Sequence, residues 1–228
     1  MITNGQARGV LQAGHDLLVT RARSVAFREA DLVVVVGTPL DFRLGYGEFG
    51  GQDGAPPAQV VHVADAPDQI ATHRPLAASA AGDLAAFFTE LTRRGAAAAR
   101  PPGRTGRQPR RPAPAWRESW LPRLQAARAE SMAADGALLA SGADPVHPLR
   151  IYGELARLLD EDAVVIGDGG DFVSYAGKYL EPKHPGGWLD PGRTDAWAPA
   201  SATRSPPASR ARPAQVVLLL GDGAAGSH

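Results

Sequence analysis

Short apolar runs alternate with amphipathic stretches along this chain, and most runs end at Gly or Asp. Residues 32–36 and 216–220 contain only Val and Leu, and residues 59–65 and 163–168 are rich in Val. Uninterrupted runs of this kind are typical of strands buried on both faces of a parallel sheet. We therefore expect buried strands at these four positions.

Helices are predicted between the strands. The clearest covers 149–159, because its apolar residues recur at helical spacing and fall on one face. Asp83 is a candidate N-cap for a helix over 84–93. Further helices are expected over 24–30, 116–134 and 171–180. Alternating helices and buried strands predict an α/β fold built from doubly wound parallel-sheet units.

Charge and composition exclude several classes of protein. The chain has 228 residues, and 24 Lys and Arg are balanced by 24 Asp and Glu. Zero net charge argues against a nucleic-acid partner, because such binders depend on excess basic charge. No apolar run is long enough for a transmembrane helix and no secretory signal is evident, so we expect a cytoplasmic protein without a membrane partner. The lack of Cys excludes disulfides, thiolate zinc sites and a Cys nucleophile.

A segment rich in Arg and Pro divides the chain. Residues 93–117 contain eight Arg and no acidic residue. Its Pro residues exclude a regular basic helix, so a solvated linker is favoured over a nucleic-acid or membrane-binding arm. We expect one domain over 1–94, a linker over 95–114 and a second domain over 115–228.

Two of the predicted strands run into the sequence Gly-Asp-Gly. Residues 221–223 follow the last strand, and residues 167–169 end an earlier one. At the carboxyl edge of an α/β sheet, glycines let a phosphate approach the backbone, and a carboxylate can hold Mg²⁺. The alternative is a tight strand-to-helix turn in which Asp171 is the N-cap.

The order of five segments is more specific than any one of them. GTPLDFRLGYG (37–47), VVHVADAPDQI (60–70) and AGDLAAFFTEL (81–91) lie in the first domain, and residues 147–182 and AQVVLLLGDGAAG (214–226) lie in the second. Together they resemble thiamine diphosphate-dependent enzymes of the acetolactate synthase group. The resemblance implies an N-terminally truncated central domain followed by a C-terminally truncated diphosphate-binding domain.

The resemblance also implies a site for thiamine diphosphate and Mg²⁺. Asp222 matches the family's metal-binding Asp, whereas the Asn pair that completes that motif has no counterpart here. The Glu that promotes ylide formation lies in a separate domain of the family and has no counterpart either, so no catalytic residue is assigned. The implied cofactor-binding residues are Gly169, Gly170, Asp171, Gly221, Asp222 and Gly223.

Some members of this family hold FAD or a coenzyme A nucleotide in the central domain. The resemblance places residues 38–41 and Arg43 near that groove, which makes FAD a candidate cofactor. The favoured alternative is a structural loop that follows a strand.

Residues 193–213 depart from the family. They contain no Leu, Ile, Val or Gly, whereas relatives have a Gly-rich turn and a buried helix there. If the relatives' segment is written in GC-rich codons and translated from a reading frame shifted by one base, it yields the residues at 193–203. We therefore expect this stretch to be out of frame. A natural low-complexity insertion is the alternative. Loss of the helix would leave the strand at 216–220 in a partly uncovered sheet.

Two histidines and one tryptophan have individual expectations. His62 lies within a Val-rich strand and is expected to be packed, and His147 is expected to mark a helix entrance. The six His show no metal-ligand spacing. Trp188 follows a Pro-Gly-Gly turn and is assigned no role.

The sequence therefore predicts a fragment of a thiamine diphosphate- and Mg²⁺-dependent enzyme that decarboxylates and joins 2-oxo acids. We expect the fragment to be inactive alone. One alternative is a non-catalytic nucleotide- or cofactor-binding scaffold or accessory subunit. Another is a fragment of the sister 2-hydroxyacyl-CoA lyase or oxalyl-CoA decarboxylase groups. The partners implied are small-molecule cofactors and, as in the family, further copies of the chain.

Overall fold

The computed structural model describes residues 1–98, 118–168, 170–189 and 214–221, which fall into two compact units. One unit is Ser24–Pro114, called here the 24–114 unit. The other, the 115–228 unit, combines Met1–Arg23 with Ala115–His228. The division differs from the predicted 1–94 domain, because the first part of the chain contacts residues of the second unit. Most of the predicted linker, 95–114, lies outside the described residues.

The 24–114 unit contains a parallel sheet with β2 at its centre, and Val33 of β1 pairs with Val60. The predicted helices over 24–30 and 84–93 and the strands over 32–36 and 59–65 are confirmed within a few residues. β3 was not predicted, because its Ala and Ser residues have low strand propensity. The elements are α1 (Arg23–Glu29), β1 (Leu32–Val36), β2 (Gln59–Ala64), β3 (Ala78–Ala81) and α2 (Leu84–Ala98).

The core of this unit lies on one side of β1 and surrounds β2. Val35, Val60 and Phe49 are buried there, and the rings of Phe27 and Phe49 are 4.8 Å apart. His62 is 1% exposed, with Nε2 3.0 Å from the Thr38 carbonyl oxygen. The prediction that His62 is a packed strand residue is confirmed.

The prediction that β1 is buried on both faces is wrong. Leu32 and Val34 are 52% and 51% exposed, while Val35 is buried. Successive side chains of a strand point to opposite faces, so Val35 lies on the face of β1 that meets the core, and Leu32 and Val34 lie on the face that meets solvent. β1 is also an end strand of the described sheet, whereas the central β2 buries His62 and Val63, which lie on opposite faces.

The 115–228 unit has a second parallel sheet, in the order β5-β4-β6. Each predicted helix and strand of this region is found, and the Nδ1 of His147 accepts a hydrogen bond from the Leu149 amide, which confirms His147 as the helix entrance. The elements are α3 (Trp120–Leu139), α4 (Pro148–Leu158), β4 (Val164–Asp168), α5 (Gly170–Tyr179), β5 (Trp188–Leu189) and β6 (Val216–Leu220).

Trp188 forms the centre of this unit's core, so assigning it no role was wrong. It is 1% exposed and packs with Tyr152, Val165 and Leu180. Burying an indole removes a large apolar surface from water, which makes Trp188 a principal source of stability. The strand that carries it has only two residues, too few to produce a recognisable apolar run.

The prediction that β6 is a buried strand is also wrong. Val216 and Leu218 are 59% and 41% exposed, whereas Leu219 packs on the core. The exposed positions match the partly uncovered sheet expected for this strand. Residues 193–213, on which the reading-frame hypothesis depends, lie outside the described residues.

The N-terminal segment is fastened to the 115–228 unit by two arginines. Arg8 donates to the Gly177 carbonyl oxygen at 2.5 Å, and its guanidinium lies 4.9 Å from the centre of the Trp188 ring. Arg21 donates to the Ser131 carbonyl oxygen at 2.5 Å and forms an ion pair with Asp135. These contacts explain why residues 1–23 join the second unit.

Asp135 is shared by two cations. Lys178 Nζ lies 3.0 Å from the carboxylate that Arg21 also binds, and the Arg21 side chain is only 6% exposed. The hydrogen bond from Arg21, joined by that from Lys178, holds the pKa of Asp135 below its usual value. A lowered pKa means that the ionised carboxylate stabilises the fold.

Within the described part of the chain, no helix has the length and apolarity needed to cross a membrane.

Two glycine substitutions test the packing of α4 on α3. A Cβ at Gly153 would lie 2.1 Å from the Leu139 carbonyl oxygen, whereas one at Gly136 would meet nothing within 4 Å. We expect Gly153→Ala to lower the free energy of unfolding by about 1–3 kcal/mol through overpacking. Gly136→Ala should raise it by about 1 kcal/mol, because Ala favours helix. Urea denaturation measures both, and effects of the same sign would contradict the packing.

Asp135→Asn tests the charge cluster. The folded-state pKa is lowered, so the carboxylate's contribution is present above the unfolded value of about 4 and is lost as pH falls through the folded value. We expect Asp135→Asn to lower the urea midpoint at neutral pH, with a difference from wild type that shrinks in acid. Glu130→Gln, an exposed position on the same helix, is the control. A pH-independent difference would exclude the ionic contribution.

Candidate functional site

The two strands that lead into Gly-Asp-Gly are neighbours in one sheet. β4 and β6 are parallel, and Asp168 pairs in register with Leu220. Because the two strands run in the same direction and are in register here, their carboxyl ends lie at the same edge of the sheet. The carboxyl ends of β4 and β6, far apart in sequence, therefore lie side by side.

A glycine lets α5 approach the end of β4 closely. Gly167 is buried, and a Cβ added there would lie 3.3 Å from Val173 and 3.7 Å from Trp188. A larger residue at this position would push the helix off the strand. The close packing places the start of α5 immediately beyond the sheet edge.

The described residues leave space beside the start of α5. Gly170, the first residue of α5, has a φ of +27°, and a Cβ there would meet nothing within 4 Å. The first amide groups of a helix have no intrahelical acceptor and attract anions. Among the described residues, the edge therefore combines space beside Gly170 with helix-start amides that have no intrahelical acceptor.

Asp168 contributes a carboxylate at the same edge. Its side chain is half-buried, and no described residue donates a hydrogen bond to it. Together, the carboxylate, the glycine backbone and the helix start form a donor set that suits an oxyanion and the divalent cation that accompanies it.

The predicted cofactor-binding residues are only partly covered by the structure. Gly170 opens α5 and Gly221 directly follows β6, so these two lie at the shared edge. Asp171 lies in the first turn of α5, and its side chain is outside the description. Gly169, Asp222 and Gly223 are outside the described residues, so the metal role of Asp222 remains a prediction. Among the described residues, no three His, Asp or Glu side chains cluster as a metal site would require.

The loop at 38–43 satisfies its charges internally. Leu40 is buried in the core, and Asp41 Oδ1 accepts a hydrogen bond from the Arg43 amide at 3.0 Å. The Arg43 guanidinium lies 2.6 Å from Asp41 Oδ2. This bonding agrees with the favoured interpretation of a structural loop, and it offers no specific support for FAD.

Sequence reasoning missed the residues that hold the site's framework. Arg8, Gly167 and Trp188 form a continuous contact from the N-terminal segment to the end of β4. The only sequence signal was the Gly before Asp168, because neither an isolated Arg nor an isolated Trp indicates its partner.

Comparison with known proteins agrees with this architecture. Residues 1–91 match the family model for the thiamine pyrophosphate enzyme central domain. The chain is 42% identical over 235 residues to a probable acetolactate synthase of Mycobacterium bovis and to the acetolactate synthase large subunit IlvG of Mycobacterium tuberculosis. It is 29% identical over 228 residues to human 2-hydroxyacyl-CoA lyase 2.

These alignments cover nearly all of this chain but only part of each relative. The alignments cover 99% of this chain but 37% of each mycobacterial protein, and 97% of this chain but 33% of the human protein. The chain thus spans about a third of the length of the curated relatives it matches. A single alignment nonetheless runs through both structural units, so nearly the whole chain is similar to one part of an acetolactate synthase, and its residues 1–91 match the thiamine pyrophosphate enzyme central domain.

Proposed function

We propose that this chain carries the diphosphate-binding part of a thiamine diphosphate site in an acetolactate synthase-like enzyme, which decarboxylates and joins 2-oxo acids. The observation that carries the proposal is the shared edge of β4 and β6, where Asp168 and Leu220 are level. The greater identity to acetolactate synthases than to 2-hydroxyacyl-CoA lyases, 42% against 29%, favours 2-oxo acid chemistry.

The residues at this edge would divide the work of holding the cofactor. The backbone of Gly170 and the start of α5 would receive diphosphate oxygens, since unpaired helix amides favour anions. Asp222 would hold Mg²⁺, which is bound through carboxylate and phosphate oxygens. Gly169, Asp171, Gly221 and Gly223 would let the diphosphate approach the backbone closely. When bound, thiamine diphosphate supplies a thiazolium carbon that serves as an electron sink.

The remaining residues of the site support the edge of the sheet at which the cofactor would bind. Gly167 and Trp188 support the strand from which the loop departs, and Asp168 offers a second carboxylate beside the metal position. None of these groups can activate the thiazolium, because the resemblance assigns that task to a Glu from another domain. We therefore infer a binding role for this chain, and further infer that it acts in the cytoplasm and, like its family, self-associates.

Asp222→Asn tests the metal assignment. Losing the carboxylate removes a charged ligand, so Mg²⁺-dependent binding of thiamine diphosphate should weaken by about 10- to 100-fold. Isothermal titration with and without Mg²⁺ gives the dissociation constants. Asp68→Asn, at an exposed position in the 24–114 unit, is the matched control.

Gly170→Ala completes the same test. A methyl group at Gly170 would enter the space assigned to the diphosphate, whereas Gly54→Ala introduces a methyl group at another positive-φ glycine with open surroundings. Thiamine diphosphate binding that is unchanged by both Asp222→Asn and Gly170→Ala would refute the proposed site.

The isolated chain is expected to be inactive. Incubated with pyruvate, thiamine diphosphate and Mg²⁺, it should form no acetolactate above a protein-free blank, because the activating Glu is not among its residues. Colorimetric detection of acetolactate makes the measurement. Turnover that survives repurification and disappears in Asp222→Asn would show that the chain is a complete catalyst.

A further inference from the structure

A cavity of about 280 Å³ lies within the 115–228 unit, beside the amino end of β4 and the carboxyl end of α5. This is the opposite end of β4 from Asp168. Its wall is mostly apolar and includes Leu139, Leu159, Val165 and Leu180. The volume equals that of roughly nine liquid water molecules, which suits a ligand of fewer than about ten non-hydrogen atoms.

The cavity's polar groups are unusual for this chain. The only two lysines of the chain, Lys178 and Lys183, both line the cavity, and Arg21 is a third cation there. Lys183 is exposed and forms no ion pair with any described residue. The chain's other 22 basic residues are all Arg, so primary amines are concentrated at this one place.

Among the described groups around the cavity, positive charges outnumber negative charges by one. Arg21 and Lys178 share the single carboxylate of Asp135. Glu181 faces Arg128 at 3.9 Å. The lining residues and their partners comprise four cations and three acids: Arg21, Arg128, Lys178 and Lys183 against Asp135, Asp160 and Glu181.

We propose that this cavity binds a small aliphatic carboxylate. The apolar wall receives the hydrocarbon body, and Lys183 pairs with the carboxylate at the mouth. Burial of the body drives binding in proportion to the apolar area removed from water, and the charge pair selects anions over neutral molecules. The site is separate from the thiamine diphosphate site and does not depend on the proposed function.

The probe is hexanoate. Hexanol and hexylammonium, which have the same hydrocarbon chain with no charge and with a positive charge, are the control ligands. Amine acetylation followed by mass spectrometry reports on Lys178, Lys183 and the Met1 terminus, the chain's only primary amines. The Met1 amine donates to the Leu17 carbonyl oxygen and does not line the cavity, so it is an internal reference. We expect hexanoate to slow acetylation of Lys183 relative to Met1, and the two control ligands to have no such effect.

Variants separate the charge from the cavity. Lys183→Met removes the acetylation reporter, so its binding is measured by isothermal titration, and it should weaken hexanoate binding by about two- to fivefold, the effect of losing one exposed ion pair. Arg157→Met removes an exposed cation of α4 that does not line the cavity and should change nothing. Ala156→Leu, at an exposed lining position, should fill the cavity and abolish protection of Lys183.

Three results would overturn the proposal. Protection by hexanol equal to that by hexanoate would remove the role of the charge. Protection that persists in Ala156→Leu would place the probe elsewhere. Decanoate binding more tightly than hexanoate would indicate an extended apolar surface instead of a small site of limited volume. Since no step uses thiamine diphosphate, a negative result here leaves the proposed cofactor site untouched.

Discussion

The parallel register of β4 with β6 is the constraint on which the candidate site depends. Backbone hydrogen bonds between β4 and β6 align Asp168 with Leu220 and bring together two strand ends that are separated by some fifty residues of sequence. No side-chain contact could substitute for this alignment, because strand pairing fixes where each chain segment leaves the sheet. The close approach of α5 at Gly167 follows from the same geometry and sets the helix start at the edge where an anion is best received.

Buried charge is the second organising feature. A guanidinium as enclosed as that of Arg21 would be costly if it lacked partners, since transferring an ion from water is compensated only by good pairing. Asp135 and the Ser131 carbonyl oxygen supply that pairing, and both lie on α3. The N-terminal segment is therefore held by an interaction whose partial loss would leave an uncompensated charge in the interior. Apolar packing alone would impose no comparable requirement for one exact position.

Much of the fold could be predicted because its longer elements have strong local patterns. β-branched runs located β1, β2, β4 and β6, and helical periodicity located α4. β3 and β5 were missed because one is built of small residues and the other has only two residues. The exposure of Val34 could not be predicted either, since burial depends on which elements cover a sheet. The candidate edge was anticipated from two Gly-Asp-Gly sequences, whereas Gly153 and Trp188 depend on contacts that are distant in sequence.

The attachment of residues 1–23 to the 115–228 unit has a consequence for biosynthesis. The 24–114 unit is an insertion within the other unit, and Arg8 is separated from its acceptor at Gly177 by 169 positions. During translation residues 1–23 emerge well before α5, and the partner of Arg8 is missing until α5 has left the ribosome, a delay on the order of ten seconds at typical elongation rates. The inserted unit can fold in that interval. Residues 1–23 thus precede the 24–114 unit in synthesis but reach their final place after it, and they remain accessible to chaperones and proteases until then.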